Sequence, residues 1–292
     1  TLGRNAGEGG DRVEKDDFLL TDMEKKLIQD VSEAFHGVGK KCIVVMNIGG
    51  VIETSSWKAL PDAILLAWQG GQEGGNAVAD ILSGKVNPSG KLPMTFPVHL
   101  ADHASSANFP MDGEPISFTD ALFGVEEKAE SEKIPNKDFT KYEEGIYVGY
   151  RHFDKNDLDV SYPFGYGLSY TAFDMGAMEI STVDSSVDVG ITVKNIGQVP
   201  GKEVIQIYSS LPETSIDRPS RELRAFAKTP LLQPGDSTRI KMSVPVSELS
   251  YWNEDRSDWE IEAGTYVLEA GTSSRDLRSS VSVEVGLPSE DQ

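Results

Sequence analysis

Residues 42–68 read CIVVMNIGGVIETSSWKALPDAILLAW, and the apolar runs at the two ends of this stretch decide the fold class of the first part of the chain. The runs 42–47 and 63–68 are rich in large aliphatic side chains and do not alternate with polar residues. Such runs are typical of strands in a parallel sheet, because helices cover both faces of that sheet. The stretch therefore predicts two parallel strands joined by a crossover, with a short helix beginning in residues 55–59.

Helical patterns lie on both sides of these strands. Residues 21–35 carry apolar side chains at helical spacing, and Thr21 with Glu24 forms a capping-box pattern at the start. Residues 76–82 predict a second helix, which Gly84 is well placed to end. Strands alternating with helices indicate an α/β layer with a parallel sheet.

The second half of the chain has a different pattern. Short runs with period-two alternation are separated by turn signals such as Pro234-Gly235 and Ala263-Gly264. The runs are 187–193, 203–208, 238–244, 266–270 and 281–285. They predict an antiparallel β-sandwich of about seven strands. The predicted fold class is therefore α/β followed by all-β.

Composition and charge limit the classes of function. The 292 residues are enough for about two domains, and 38% of them are hydrophobic, as in globular proteins. With 27 basic and 47 acidic residues the net charge is −20, which disfavours nucleic acid and anionic membrane surfaces as partners. The apolar runs are too short for membrane insertion. A single cysteine, Cys42, excludes an intrachain disulfide and a cysteine-based zinc cluster.

We predict three segments. Residues 1–97 form the α/β part, residues 98–176 form a long loop and an interdomain bridge, and residues 177–292 form the sandwich. The loop carries ten acidic residues against four lysines over residues 112–144, which favours a solvated face. The bridge contains the aromatic and glycine-rich stretch YPFGYGLSY at 162–170.

Five blocks of sequence resemble glycoside hydrolase family 3, whose typical members are β-glucosidases. Residues 68–97, WQGGQEGGNAVADILSGKVNPSGKLPMTFP, look like the end of that family's α/β sandwich domain. Residues 142–170, YEEGIYVGYRHFDKNDLDVSYPFGYGLSY, are similar to its bridge. The remaining blocks are VKNIGQVPGKEV at 193–204, RPSRELRAFAK at 218–228 and LSYW at 249–252. They resemble the family's fibronectin type III-like domain. The resemblance implies a partial α/β sandwich with a parallel sheet, then a fibronectin type III-like β-sandwich.

The resemblance also implies what lies outside this chain. Family members usually begin with a (β/α) barrel that carries the aspartate nucleophile and most sugar-binding residues, and none of these can be assigned here. The expected partners are an N-terminal barrel-containing chain or fragment and a β-glucoside or oligosaccharide substrate, and a homo-oligomer stays open. No cofactor or metal is expected. A periplasmic or secreted location is favoured for an enzyme of this type, although the chain shows no signal peptide.

The loop GRNAGEGGDR at 3–12 contains the candidate catalytic residue. Family β-glucosidases with an R-x-x-G-E-G-x-D-R-like loop use its glutamate as the acid/base, and Glu8 occupies the matching position. The alternative is that Glu8 is an ordinary solvated carboxylate. Asp11 and Arg12 are expected to shape the loop through a local ion pair or capping interaction.

Other candidates are weaker. Glu73 follows the second apolar run, where open α/β sheets often bind ligands, but a favourable contact with a helix dipole is the preferred interpretation. His99 and His103 have i, i+4 spacing without a third metal ligand, and His36 and His152 offer no i, i+3 pairing. The four tryptophans could stack on sugar rings, and for Trp68 and Trp252 packing is the favoured role. They are Trp57, Trp68, Trp252 and Trp259.

The leading functional hypothesis is the C-terminal part of a retaining β-glucosidase that hydrolyses terminal non-reducing β-D-glucosyl residues. In this hypothesis the chain supplies Glu8 to a barrel domain that it lacks, and it is inactive without that domain. The alternative is a catalytically inert carbohydrate-binding or structural module. Co-purification of a barrel-containing polypeptide would distinguish the two.

We expect the chain on its own to be insoluble, or to be kept in solution only by residues 177–292. An α/β core made of residues 1–97 alone would leave strand edges and an apolar face uncovered, and such edges promote association. Size-exclusion chromatography and calorimetry check this expectation. A monomer in which the α/β part melts cooperatively would contradict it.

Overall fold

The fold is that of a computed structural model, which describes residues 1–4, 12–107, 142–183 and 185–286. Their contacts divide into two compact units, which are treated separately. The first contains the described residues of Thr1–Ser83, Phe96–Val148 and Leu158–Tyr162. The second contains those of Gly84–Thr95, Gly149–Asp157 and Pro163–Gln292. Most of the predicted long loop falls in residues 108–141, outside the described residues. The predicted segment boundaries therefore stay predictions.

A three-stranded parallel sheet forms the centre of the first unit. Its strands are β1 (Leu2–Gly3), β2 (Ile43–Asn47) and β3 (Ala63–Leu66), and they pair in that order. Leu2 is opposite Met46, and Ile43 is opposite Ala63. Both predicted parallel strands are confirmed.

The crossover between β2 and β3 contains turns where a short helix was predicted. Residues 55–59 are turns, and the Trp57 and Lys58 amides both donate to the Thr54 carbonyl. The buried Glu53 carboxylate accepts hydrogen bonds from the hydroxyls of Ser55 and Ser56. These local side-chain contacts offer the backbone an alternative to helical pairing, so the helix does not form.

The two predicted helices of this unit are present. Helix α1 (Asp22–His36) begins with a complete Thr21–Glu24 capping box, and α2 (Gly74–Leu82) is followed by Gly84 at φ +75°. Positive φ favours glycine, so Gly84 suits this position after the helix. The apolar stripe of α1 is only partly covered: Ile28 is buried, whereas Met23 is 82% exposed.

Two short strands form a second, antiparallel sheet in the first unit. Strands β4 (Phe96–Pro97) and β5 (Val160–Tyr162) pair antiparallel, and the rings of Phe96 and Tyr162 meet edge to face with centroids 6.1 Å apart. Two single-turn helices follow β4 at Leu100–Asp102 and Ala104–Ala107. No helix within the described ranges is long and apolar enough to cross a membrane.

The described residues of the second unit form one short α-helix, α3 (Tyr150–Lys155), a single-turn helix at Val246–Leu249 and two main antiparallel sheets. Its strands are β6 (Phe173–Met175), β7 (Glu179–Val183), β8 (Ser186–Asn195), β9 (Val204–Ser210), β10 (Glu222–Lys228), β11 (Ser237–Pro245), β12 (Tyr251–Asn253), β13 (Asp258–Glu260), β14 (Gly264–Ser273) and β15 (Asp276–Val285). One sheet has the order β10-β9-β14-β15. The other has the order β11-β8-β6, and β7 also pairs with β8. Strands β12 and β13 form a separate hairpin.

The two main sheets share one apolar core. Buried residues of β8 and β11, such as Ile191 and Val244, belong to the same cluster as Ile205 and Ile207 of β9 and Leu268 of β14. Side chains that alternate along each strand therefore meet between the sheets, as in a β-sandwich. The predicted order of an α/β part followed by an all-β sandwich is confirmed.

Strand β9 is buried on both of its faces: the apolar Val204 and Tyr208 on its outer face predict partial cover there, whereas the alternation alone predicts that Gln206 faces outward. Ile205 and Ile207 face the core, whereas Gln206 lies on the opposite face and is only 3% exposed. The Gln206 amide donates to the carbonyls of Gly165 and Thr272, and its oxygen accepts the Tyr208 hydroxyl at 2.6 Å. The glycine-rich stretch around residue 165 thus covers this face and satisfies its polar groups.

Gly165 is required at this contact for two reasons. Its φ is +81°, and a Cβ atom there would lie 2.3 Å from the Gln206 side-chain oxygen. Gly235 has a similar φ of +89°, but a Cβ atom there would meet open space. A substitution at Gly235 therefore tests backbone strain alone, whereas one at Gly165 tests backbone strain together with steric overlap.

We expect Gly165→Ala to lower the free energy of unfolding by more than Gly235→Ala. Both variants strain the backbone by about 1–2 kcal/mol, and Gly165→Ala adds an overpacking cost of about 1–3 kcal/mol. Urea unfolding followed by circular dichroism measures both effects. Equal losses in the two variants would show that the Gln206 contact is unimportant.

Candidate functional site

The carboxyl end of the parallel sheet is where the first unit can form a site. Residues 5–11 follow β1, residues 48–62 follow β2, and residues 67–73 follow β3. Loops at this edge of an open α/β sheet commonly bind ligands. The predicted catalytic residue Glu8 and its neighbour Asp11 lie outside the described residues. The described geometry is therefore that of the residues on each side of their loop.

Arg4, which precedes the loop, is held by three groups. Its side chain is 8% exposed, and its two Nη atoms donate to the two Glu24 oxygens at 2.6 and 2.8 Å. Its Nε donates to the Asp17 backbone carbonyl at 2.8 Å, and its own amide donates to the Asn47 carbonyl of β2. A bidentate guanidinium–carboxylate pair is among the strongest and most directional contacts in proteins.

Arg12, which follows the loop, binds the same aspartate. Its Nη1 donates to Asp17 Oδ1 at 2.5 Å, and its Nη2 donates to the Gly50 carbonyl at 3.2 Å. The other Asp17 oxygen accepts the Val13 amide at 3.3 Å. The prediction that Arg12 makes a local ion pair is confirmed, with Asp17 as the described partner.

Glu24 has two roles at the start of α1. Its carboxylate accepts from the Thr21 amide and hydroxyl, which completes the helix cap, and it also binds Arg4. The hydrogen bonds from Arg4, supported by those from Thr21, lower the pKa of Glu24 from 4.5 to about 2 although burial opposes the shift. The carboxylate is therefore charged at neutral and mildly acidic pH.

The loop after β3 contains the other predicted residues of this edge. Glu73 is the N-cap residue of α2, and its carboxylate accepts a hydrogen bond from the side-chain amide of Asn76. A carboxylate there has a favourable contact with the helix dipole, in line with the preferred interpretation. Trp68 has φ +53°, an uncommon backbone conformation for a large side chain, and its ring lies 6.3 Å from that of Phe96.

His36 and His152 each contact a nearby polar side chain. His36 contacts Asp62, whose pKa is lowered by hydrogen bonds from Lys41, the Cys42 amide and His36. The His152 ring nitrogen is 3.2 Å from the Asn156 side-chain amide. Among the described residues, no three His, Cys, Asp or Glu side chains are grouped to hold a metal ion.

The tryptophans fall into two classes. Trp57 is 1% exposed, and its indole nitrogen donates to the Glu53 carbonyl, so it belongs to the interior. Trp252 and Trp259 are opposite each other in the β12–β13 hairpin with ring centroids 5.6 Å apart. They are 47% and 64% exposed, so Trp252 is not a core residue of the described part of the chain, whereas its role in packing between domains stays a prediction. A short hairpin outside the two main sheets offers it no second layer to pack against.

Sequence reasoning missed the link between Arg4, Asp17 and Glu24. The Thr21–Glu24 cap was evident from spacing, but the second role of Glu24 depends on contacts 20 residues apart. The signal in the sequence was an arginine on each side of a glycine-rich loop, followed by acidic residues at the next helix start.

Two family models match the chain. Residues 1–170 match the glycosyl hydrolase family 3 C-terminal domain, and residues 203–274 match a fibronectin type III-like domain. β-Glucosidase A of Butyrivibrio fibrisolvens is 38% identical over an alignment covering 93% of this chain and 32% of that protein.

Solved structures give the same result. The chain superposes on β-glucosidase 3B from Thermotoga neapolitana with a TM-score of 0.84 and 43% identity, covering 98% of this chain and 37% of that one. For the family 3 β-glucosidase of Bifidobacterium adolescentis the TM-score is 0.78 and the identity is 32%. The match covers 97% of this chain and 38% of that one. The chain spans about a third of the length of the relatives that it matches.

We expect the Arg4–Glu24 pair to make stability depend on pH in the acid range. Because folding lowers the pKa of Glu24 from 4.5 to about 2, its contribution is complete above about pH 4.5 and is lost as the pH falls toward 2. Glu24→Gln keeps a capping side chain but loses the charge, so it should destabilise by about 1–3 kcal/mol near neutral pH. The difference from the parent should shrink below pH 4.5.

The measurement is urea unfolding between pH 3 and 7 in a chimaera in which this chain replaces the matched segment of the Thermotoga neapolitana enzyme. Glu33→Gln, at an exposed position on the same helix, is the control and should show little effect. If Glu24→Gln lowers the free energy of unfolding by the same amount at every pH, the ion-pair explanation is contradicted.

Proposed function

The chain belongs to glycoside hydrolase family 3, and on this premise we propose that it is the C-terminal part of a retaining β-glucosidase. The substrates are β-glucosides or oligosaccharides with a terminal non-reducing β-D-glucosyl residue. The observation that carries the proposal is that Arg4 and Arg12, which flank residues 5–11 after β1, both bind Asp17. The relatives that are named β-glucosidases support the substrate class.

Glu8 is the proposed acid/base. In retaining hydrolysis a carboxylate nucleophile attacks the anomeric carbon while an acid gives its proton to the departing oxygen. The same residue, now a carboxylate, then takes a proton from the water that releases the sugar from the enzyme. The glycines on both sides of Glu8 allow the backbone of such a loop to approach a ligand closely.

The nucleophile belongs to the part of the enzyme that this chain does not contain. The two carboxyl groups of a retaining enzyme lie about 5–5.5 Å apart, so the proposal requires a barrel aspartate near Glu8. The proposed partner is therefore an N-terminal barrel-containing chain or segment of the same enzyme. A structure of the complete enzyme with Glu8 far from any such aspartate would rule out the assignment.

The second candidate is a catalytically inert carbohydrate-binding module, and the exposed Trp252–Trp259 pair favours it. Aromatic faces stack on pyranose rings, and these two exposed indoles lie edge to face on one hairpin with centroids 5.6 Å apart. This candidate predicts sugar binding that depends on the two tryptophans and predicts no effect of Glu8 on hydrolysis. The experiment below separates the two candidates.

We expect Glu8→Ala in the chimaeric enzyme to reduce hydrolysis of cellobiose by about 10²–10⁴-fold, the usual contribution of a general acid. 2,4-Dinitrophenyl β-glucoside has a leaving group that departs without protonation, so its first step should be affected much less. Azide should restore turnover of that substrate, because it attacks the glycosyl-enzyme without needing a base. Steady-state kinetics and detection of glucosyl azide are the measurements.

Glu14→Gln is the matched control, since Glu14 is an exposed carboxylate six positions after Glu8. It should keep full activity on both substrates. Unchanged cellobiose hydrolysis in Glu8→Ala, or equal losses on both substrates without azide rescue, would refute the assignment of Glu8.

A further inference from the structure

We propose that the outer face of the β12–β13 hairpin, formed by Trp252 and Trp259, is a binding site for soluble β-linked glucans. The inference goes beyond the proposed catalytic role, because it concerns binding alone and does not involve Glu8. It applies to an active enzyme as well as to an inert module. It also names a ligand that the site excludes, which is crystalline cellulose.

The strand register puts the two indoles on the same face of the hairpin. Trp252 is directly opposite Trp259. Because side chains alternate between the faces of a strand, the adjacent Tyr251 and Glu260 lie on the reverse face. The indoles are 47% and 64% exposed, whereas Tyr266 on β14 of the same unit is 1% exposed. Two exposed tryptophans on one face form the kind of apolar patch that marks a binding surface.

The reverse face of the hairpin is held by polar contacts. The carboxylate of Glu260 accepts hydrogen bonds from the Tyr251 hydroxyl at 3.0 Å and from the Asn253 side-chain amide at 2.8 Å. The Arg218 guanidinium, whose side chain is 8% exposed, lies over the Tyr251 ring at 5.1 Å from its centroid. The hairpin therefore presents its indoles on a fixed backbone, and a ligand loses little free energy in ordering that backbone.

Charge and area together favour a small uncharged ligand over a macromolecule. The turn between the strands and the residue after it carry three exposed carboxylates against one exposed guanidinium; these are Glu254, Asp255 and Asp258 against Arg256. Nucleic acid and anionic lipid surfaces are therefore disfavoured as partners. Two half-exposed indoles offer at most about 300 Å² of surface, whereas a stable protein interface takes about 800 Å² from each partner.

The chemistry of the indole face matches a β-linked glucan. In a β-glucopyranose ring the hydroxyl groups are equatorial, so both faces of the ring present C–H groups alone. These weakly positive hydrogens are attracted to the negative face of an indole, while the hydroxyls at the edge of the ring stay free to bind carboxylates or water. Mannose and galactose each have an axial hydroxyl that interrupts one face. The site should therefore prefer glucans to galactomannan.

The angle between the indoles decides which glucans can bind. Their planes are inclined at 72° and their centroids are 5.6 Å apart. A flat crystalline surface can lie against only one ring, because the other ring then stands nearly upright to the surface. A single chain in solution can rotate about its glycosidic bonds and contact both rings. The inference is therefore limited to soluble glucans.

The test is affinity electrophoresis of the chimaeric enzyme in native gels that contain mixed-linkage β-glucan. The parent should be retarded, and in Trp252→Ala/Trp259→Ala the apparent dissociation constant should rise about tenfold or more, as when an aromatic hot spot is removed. Phe226→Ala is the matched control, because Phe226 is the aromatic residue of β10 and is 69% exposed. It should bind as the parent does. Binding through the active site is common to all three proteins and cancels in the comparison.

Two further polysaccharides test the ligand class. Galactomannan should retard the parent less than β-glucan does, and microcrystalline cellulose should not deplete the parent from solution. Equal retardation of the parent and the double variant by β-glucan overturns the inference, and so does equal retardation of the parent by galactomannan. Depletion by cellulose that depends on the two tryptophans also overturns it, because the site would then accept a flat surface.

Melting temperature and size-exclusion chromatography test whether protein covers the indoles instead. The double variant should melt and elute as the parent does, as is usual for substitutions at exposed positions. A lower melting temperature would show that the indoles pack against another part of the enzyme. A dimeric parent that the double variant converts to a monomer would show that a second copy covers them. Either result overturns the inference.

Trp259→Tyr and Trp259→Gln separate stacking from the loss of surface. Tyrosine keeps an aromatic face at the more exposed position, so this variant should be retarded by β-glucan more than the glutamine variant. Equal retardation of the two variants would contradict stacking and overturn the inference. The proposed function is tested separately. If Glu8→Ala lacks the leaving-group pattern, the assignment of Glu8 fails and the glucan site stands; if retardation is independent of the tryptophans, the inference alone fails.

Discussion

Two arginines with almost no exposed side chain share one aspartate at the carboxyl end of the parallel sheet. Buried guanidinium groups are stable only when carboxylates and carbonyls occupy their donors, so Arg4, Arg12, Asp17 and Glu24 constrain one another. This constraint ties β1, the start of α1 and the loop after β2 together. The described residues on each side of residues 5–11 are held by this ionic cluster as well as by β1, which contributes only two residues to the sheet.

The charges within this cluster are matched in pairs. Each positive group has a negative partner within hydrogen-bonding distance, and the Glu24 carboxyl is held ionised by Arg4. Charge neutrality limits the field that reaches neighbouring groups. The start of α1 and the residues next to β1 are therefore joined by ionic contacts that add no net charge.

The second unit uses a different solution for its polar interior. On the outer face of β9, Gln206 and Tyr208 are buried, and their polar atoms bind each other and the backbone of Gly165 and Thr272. The Tyr150 ring packs edge to face against Tyr208 with centroids 6.0 Å apart, and its hydroxyl oxygen accepts a hydrogen bond from the Leu223 amide. One face of this sheet therefore packs against the apolar core. The other face, which would otherwise contact solvent, carries buried polar side chains whose hydrogen bonds are formed.

The sequence by itself determined the elements whose signals are local: the parallel strands at 42–47 and 63–68, the capped helix after Thr21, and the alternating strands of the sandwich. It also pointed to Glu8 through resemblance to a family loop, a role that stays a proposal. Only the tertiary structure decided that residues 55–59 form turns around Glu53, that Gln206 is buried, that Trp252 is half exposed, and that Asp17 joins Arg4 to Arg12. The reason is physical. Period and capping depend on residues three or four positions apart, whereas burial and ion pairing depend on which distant segments the fold brings into contact.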